Sequence, residues 1–274
     1  SEVPSSGIFA APMVLSGNNF GALGAIPNKA EAELTVSFSA SGRRYPLSGC
    51  VVTRDYEEVT CDSISPGLGK DLVILLTFAD QTNSAGARIS YEAPSVLLLS
   101  GEGAVGASTQ GGQQVIVRGS GFGPACGEAS TEQNGISNDD GNICDVIKTT
   151  YTRGAKVGGD GAQIVYTSGC VVVTNERLVC VTSPGTGAGH KWTFNVGGHV
   201  IAFGGGTTSY DVPTVGGYDG VGSRDALTNG FQEVIIKGGN FGPANGALVY
   251  AFYGPEDNPD EFSASQNGKT TCTV

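Results

Sequence analysis

The stretch VIVRGSGFG, residues 115–123, alternates β-branched apolar residues with others and then runs into a glycine–aromatic turn. Alternation with a period of two marks a strand with one buried face. The turn recurs: GNNFG occupies residues 17–21 and GGNFG residues 238–242. Each copy is trailed by a cysteine that opens a hairpin-like stretch: Cys50, Cys170 and Cys272. The gaps from first glycine to cysteine are 33, 51 and 34 residues, so two copies agree to one residue and the middle one carries an insertion. A period of roughly 100 residues describes an array of similar domains. Arrays reach, bind and assemble more often than they catalyse.

The rest of each repeat follows in order. SISPGLG (63–69) and VTSPGTG (181–187) match, and each leads to a tyrosine with a proline three residues on, Tyr91 with Pro94 and Tyr210 with Pro213. Repeat boundaries are therefore expected at 1–94, 95–213 and 214–274. The third copy stops two residues past Cys272, which reads as a repeat cut short within a longer, processed chain. Forty-four glycines and twelve prolines punctuate the apolar runs. The strand candidates begin at Met13, Leu34, Cys50, Asp71, Gln113, Cys170, Trp192 and Glu233, and no stretch holds a 3.6-residue period over three turns. The expected fold is all-β, a tandem of immunoglobulin-like sandwiches with seven to nine strands in a complete copy. In the glycine signatures, glycine supplies positive φ cheaply, and Phe20, Phe122 and Phe241 are expected to fold back and plug one end of the core.

These segments resemble the IPT/TIG immunoglobulin-like domain of plexins, fibrocystin-like proteins and protist surface proteins. The resemblance rests on VIVRGSGFG, on CVVVTNERLVC (170–180), on TSPGTG (182–187) and on YDVP (210–213), and it spans two full copies and one partial copy. It implies fold more than function, because that fold serves many roles. A cysteine pair followed by Ser-Pro-Gly resembles the extracellular members of the family and not the DNA-associated ones.

Between Cys50 and Cys61 the chain reads VVTRDYEEVT, and between Cys170 and Cys180 it reads VVVTNERLV, each two short β runs around a charged turn. A hairpin sets such cysteines opposite one another at bridging distance. Closing so small a loop stabilises by roughly 2–3 kcal/mol in the chain-entropy model. A metal site is the alternative, but two cysteines per repeat without a neighbouring histidine make a poor zinc site. Cys126 and Cys144 flank the polar insertion near 124–145, which has little to bury and is expected to be tied by a disulfide across its base. Cys272 aligns with Cys50 and Cys170 and is left unpaired in this sequence. Disulfides at this density imply an oxidising, extracellular setting.

Net charge is −11, divided −4, −3 and −4 over the three repeats. The absence of a basic stripe argues against nucleic acid as a partner. The longest apolar run, LVILLTFA (72–79), is too short to span a bilayer. There is no Asn-X-Ser/Thr sequon, while the many serines and threonines leave room for O-linked glycans. GEGAVG (101–106) has the spacing of a dinucleotide loop but is followed by a strand and not a helix, and GTGAGHK (185–191) lacks the P-loop spacing. His190 and His199 are the only histidines, and no G-x-S-x-G elbow occurs. His190, in a loop entering the strand of Trp192, is expected to face solvent, and Trp192 to lie in the core. Asp139 and Asp140 in NDDGN are weak calcium candidates, and EDNPDE (256–261) a weaker one; no other cofactor is expected.

The chain thus reads as a non-catalytic structural or adhesive array that assembles with itself or with neighbouring subunits. AFGGGTTSY (202–210) suits lateral packing. A receptor ectodomain binding through 126–144 is the first alternative. An accessory module of a secreted carbohydrate-active enzyme is the second, although tyrosines such as Tyr166 and Tyr210 are too scattered to show a sugar-binding stripe. Non-reducing peptide mapping is expected to join Cys50 to Cys61, Cys126 to Cys144 and Cys170 to Cys180; free thiols at these positions remove the argument for an extracellular setting.

Overall fold

The computed structural model describes residues 2–3, 12–21, 35–40, 43–78, 81–125, 137–138, 147–153, 164–244, 250–255, 257 and 262–263. The first stretch forms β1 (Glu2–Val3), β2 (Met13–Ser16), β3 (Thr35–Ala40), β4 (Arg43–Ser48), β5 (Val51–Arg54), β6 (Glu58–Cys61), β7 (Ser63–Ile64), β8 (Leu72–Phe78) and β9 (Gln81–Tyr91). The second forms β10 (Ser95–Ser100), β11 (Gln114–Ser120), β12 (Ser137–Asn138), β13 (Ile147–Thr152), β14 (Val165–Thr174), β15 (Arg177–Val181), β16 (Lys191–Val196) and β17 (His199–Ala202). The third forms β18 (Thr214–Asp219), β19 (Ile235–Gly239), β20 (Phe252–Tyr253) and β21 (Phe262–Ser263). The fold is all-β: among the described residues, helix is confined to a single 3-10 turn at Val221–Ser223.

In the second stretch the strands run in the order β10-β11-β15-β14-β13-β16-β17. β14 serves both halves of that array. Its residues 165–168 pair with β13 and its residues 169–174 with β15, so one strand crosses from one sheet to the other. Inward positions along β14 alternate, burying Ser168, Cys170 and Val172 against Val115 and Val117 of β11 and Leu178 and Cys180 of β15. Trp192, Phe194 and Val196 of β16 complete this core. The first stretch has the same plan with a break. β4 and β5 stand where β14 runs continuously, interrupted at Gly49, whose φ is 65°. β9-β8-β3-β4 then forms one sheet and β2-β6-β5 the other. Several of these strands are polar or short and carry no sequence signal. β9, QTNSAGARISY, is the clearest case; pairing with β8 and the burial of Ile89 and Tyr91 hold it.

The glycine signatures share one backbone. The third residue has positive φ in every copy: 67° at Asn19, 76° at Gly121 and 60° at Asn240. So has the fifth: 89° at Gly21, 84° at Gly123 and 97° at Gly242. Asparagine and glycine are the residues that tolerate this region. The turn throws the phenylalanine back onto the first glycine. A Cβ at Gly119 or at Gly238 would lie 2.7 Å from Cζ of Phe122 or Phe241, and would also collide with the carbonyl of Ser95 or Thr214. Phe122 is thereby fully buried.

The same loop holds the cysteine hairpin. Gly17 N donates to Glu57 O (2.8 Å) and Phe20 N to Tyr56 O (3.1 Å). Gly119 N and Phe122 N donate to Glu176 O and Asn175 O, both at 3.0 Å. These carbonyls lie at the tips of hairpins closed by Cys50–Cys61 and Cys170–Cys180, each disulfide with a Cα separation of 4.0 Å.

The first two stretches touch through a small joint. Leu68 is buried where Gly123 and Gly197 offer no side chain; a Cβ at Gly123 would sit 2.7 Å from Leu68 Cδ2. Lys70 N donates to Gly197 O (2.9 Å). β12 adds to the edge of β4, with Ser137 opposite Arg44 and Asn138 opposite Arg43.

Phe122→Ala is expected to cost about 3–5 kcal/mol, read from the urea midpoint. Asn19→Gly is expected to change stability by a few tenths of a kcal/mol, whereas Asn19→Val costs about 1–2 kcal/mol by forcing a β-branched residue to positive φ.

Candidate functional site

The polar and aromatic groups that sequence reading flags as chemistry-bearing gather at the end of the sandwich opposite the glycine signature, beneath the Ser-Pro-Gly turns. The turn glycine is required there by close packing. A Cβ at Gly67 would lie 2.6 Å from Tyr91 Oη and 2.7 Å from Tyr45 Cδ1; at Gly185 it would lie 2.6 Å from Tyr166 Cε1 and 2.7 Å from Tyr210 Oη. Each repeat then closes on its late tyrosine. Tyr91 O–H donates to Ser65 O at 2.7 Å, and Tyr210 O–H donates to Ser183 O.

In the second stretch the lock is a closed circuit. Ser183 N donates to Tyr151 Oη (2.9 Å), the Tyr151 and Tyr210 hydroxyls are 2.5 Å apart, and Tyr210 returns to Ser183 O. With Tyr151 O–H pointing at Tyr210, every proton in the circuit has an acceptor. Tyr151 lies between Trp192 and Tyr166, stacked on them with centroids at 4.5 and 5.0 Å. Trp192 Nε1 donates to Thr208 Oγ1 at 2.8 Å. Burial pushes the Tyr91, Tyr151 and Tyr210 hydroxyls above their ordinary range, because it penalises the phenolate.

His190 corrects the expectation of a solvent-facing side chain. It is fully buried, at 0 % exposure, with Nδ1 3.0 Å from Thr208 O and Nε2 3.2 Å from Thr186 O. The rings of Tyr151, Tyr166 and Tyr210 meet it edge-on at 5.3–5.6 Å. The chain buries it because the backbone bridge His190–Thr208 draws the loop onto the sheet end, an arrangement local sequence does not reveal. A neutral imidazole has one N–H, so one of the two carbonyls faces a lone pair. The carbonyls favour the protonated ring; burial opposes it and dominates, with the Arg153 charge acting the same way, and the pKa is lowered. Trp192 is in the core, as expected. Tyr166 and Tyr210, scattered in sequence, come within 5.9 Å of one another and pack inward, so they form no exposed platform.

The chemistry available here is therefore consumed internally. His190 bonds to backbone carbonyls, the Tyr151 and Tyr210 hydroxyls to one another and to Ser183, and the Tyr166 hydroxyl to the Thr186 backbone. The duplicated Tyr91/Tyr210 spacing was the one signal in the sequence that pointed to this cluster. Cys126, Cys144, Cys272, Asp139 and Asp140 lie outside the described residues, as does all of EDNPDE except the exposed Asp257. No group of three metal-ligating side chains forms among the described residues.

No family model and no curated protein matches the chain. Among solved structures it is similar to the full extracellular region of plexin A4, domains 1 to 10, at 15% identity and a TM-score of 0.29, covering 100% of this chain and 20% of that one. A second plexin A4 extracellular structure, domains 1 to 8, gives 12% identity and a TM-score of 0.27, covering 99% of this chain and 32% of that one. The chain thus spans a fifth to a third of the proteins it is similar to.

Tyr210→Phe is expected to cost about 1–3 kcal/mol, because the bonds of its hydroxyl to Ser183 O and Tyr151 are lost and only the long 3.4 Å contact from Tyr151 O–H to Ser183 O is left. The lowered pKa of His190 means that the unfolded chain takes up the proton first as the pH falls. Its contribution is thus complete above about pH 6.5 and is lost progressively below it. The thermal midpoint of the wild type should fall between pH 7.5 and 5.5 more steeply than that of His190→Gln; parallel profiles refute the assignment.

Proposed function

We propose that this chain is a non-catalytic, extracellular structural module of the IPT/TIG type that works by assembling with like subunits. The observation that carries this reading is the repeated lock. Two repeats close their ends with the same glycine–phenylalanine loop and the same tyrosine, and Leu68 fixes one repeat against the next. A rod built this way spends its polar groups on its own rigidity and presents its sheet edges. The disulfides Cys50–Cys61 and Cys170–Cys180 suit an oxidising compartment.

The edge most suited to lateral contact is β10, SVLLLS, the outermost strand of its array. It carries no charge, and a bulge between Val96 and Leu98 turns Leu97 out at 72% exposure, with Leu98 at 50%. Uncharged apolar edges are templates for another strand, and here the acidic repulsion between copies has to be offset by such contact. In the receptor alternative the disulfide-tied insertion 126–144 is the recognition loop; its Ser137 and Asn138 pair with β4.

Light scattering on the 274-residue chain should show mass rising with concentration and persisting in salt, with Leu97→Lys shifting the chain back toward monomer. A strict monomer at high concentration that binds one soluble ligand through 126–144 would move the function to a receptor ectodomain.

A further inference from the structure

The hairpins stapled by Cys50–Cys61 and Cys170–Cys180 hold the same place in their repeats, so their outward faces can be compared position by position. Met13 lies opposite Cys61 as Val115 lies opposite Cys180. In the next register row, Val14, Thr60 and Val51 of the first repeat answer Ile116, Val179 and Val171 of the second. Both rows point away from the core; Val14, Val51 and Val171 are 54%, 41% and 48% exposed.

Two residues further along, the faces differ in charge. In the second repeat Arg118 stands directly opposite Arg177, and both are exposed. Like charges in register destabilise a strand pair. Neither side chain has an ion-pair or hydrogen-bond partner among the described residues. In the first repeat the same two places hold Ser16 and Glu58. The neighbouring Glu57 is taken up by Arg54 at 2.6 Å, so Glu58 is the carboxylate of this face. Thr53 Oγ1 donates to Glu58 Oε1 at 2.7 Å, and a carboxylate accepts further bonds. One face thus sets two unspent guanidinium groups beside an apolar row, and the other sets a carboxylate beside a row of the same build.

We propose that the hairpin face of the second repeat docks on the hairpin face of the first repeat of another copy, a contact that rests on the reading of the chain as an assembling module and names the surfaces that meet. Within one chain these two repeats are held end to end at Leu68 and Lys70, so the occupant is a second copy. Arg118 and Arg177 converge on Glu58, while Val14 and Val51 cover Ile116, Val179 and Val171. Leu98, opposite Arg118 and 50% exposed, joins this surface to the β10 edge. Each copy carries both faces, so the contact is heterologous and passes from copy to copy. The apolar rows hold the faces together. The charges select which faces meet, because two second-repeat faces would bring arginine onto arginine.

The test follows the mass of the 274-residue chain by light scattering at low ionic strength. Arg177→Glu and Glu58→Arg should each weaken self-association at least tenfold. An equimolar mixture of the two should recover it to within threefold of wild type, since each variant supplies the charge the other lacks. Lys191→Glu, an exposed position on the other sheet of the second repeat, should change it less than threefold. Raised salt should shrink the losses and leave the wild-type mass in place. Glu58→Gln, which keeps an acceptor for Thr53, should weaken association in the same direction and decides the matter if Glu58→Arg does not fold. A mixture of folded variants no better than either alone, or an equal loss in Lys191→Glu, overturns the proposal. So does a wild type that assembles while the Arg177 and Glu58 variants keep its mass; assembly then stands, on another surface. A wild type that stays monomeric at every concentration removes the assembly reading, and this contact with it.

Discussion

Two backbone amides from a glycine–phenylalanine loop, donating to two carbonyls at the tip of a disulfide-stapled hairpin, hold the halves of each complete repeat together. The net worth of such bonds is small, about 1 kcal/mol each, but an amide left buried without a partner costs about 1–3 kcal/mol. The loop can place its amides there only if its third and fifth residues take positive φ, and the phenylalanine can swing inward only if the first residue has no side chain. One local conformation thus sets the plug, the hairpin and the pairing of β11 with β15. The opposite end of the repeat has its own constraint, a tyrosine hydroxyl reaching the Ser-Pro-Gly carbonyl across a glycine.

Those constraints explain which parts of the molecule were legible beforehand. Positive φ is written in the choice of asparagine or glycine at 19, 121 and 240, and close approach in the invariant spacing of glycine to phenylalanine. The two hairpins were legible because opposed cysteines and alternating valines point to one pairing; Cys170 and Cys180 are indeed register partners. β9 and β4 were not, because their residues are polar and their strand character comes from neighbours far along the chain. His190 failed as a local reading for a similar reason. Its surroundings are Thr208, eighteen residues on, and tyrosines from β13, β14 and the segment after β17.

The tyrosine, histidine and tryptophan clustered in the second stretch are bonded to one another, to the backbone around them and to the Thr208 hydroxyl. The hydroxyls form a circuit with Ser183, and the imidazole is clamped between the carbonyls of Thr186 and Thr208. The same groups therefore act as fasteners of this end of the repeat.

The joint at Leu68 has a mechanical consequence. A leucine seated on two glycines is a ball in a socket of backbone, so the angle between the two repeats is set by which atoms are missing at 123 and 197. The corresponding position in the second repeat is Thr186, and the linker that follows runs through the exposed Val212. A side chain at either socket glycine would push Leu68 from its seat and change the angle between the two repeats.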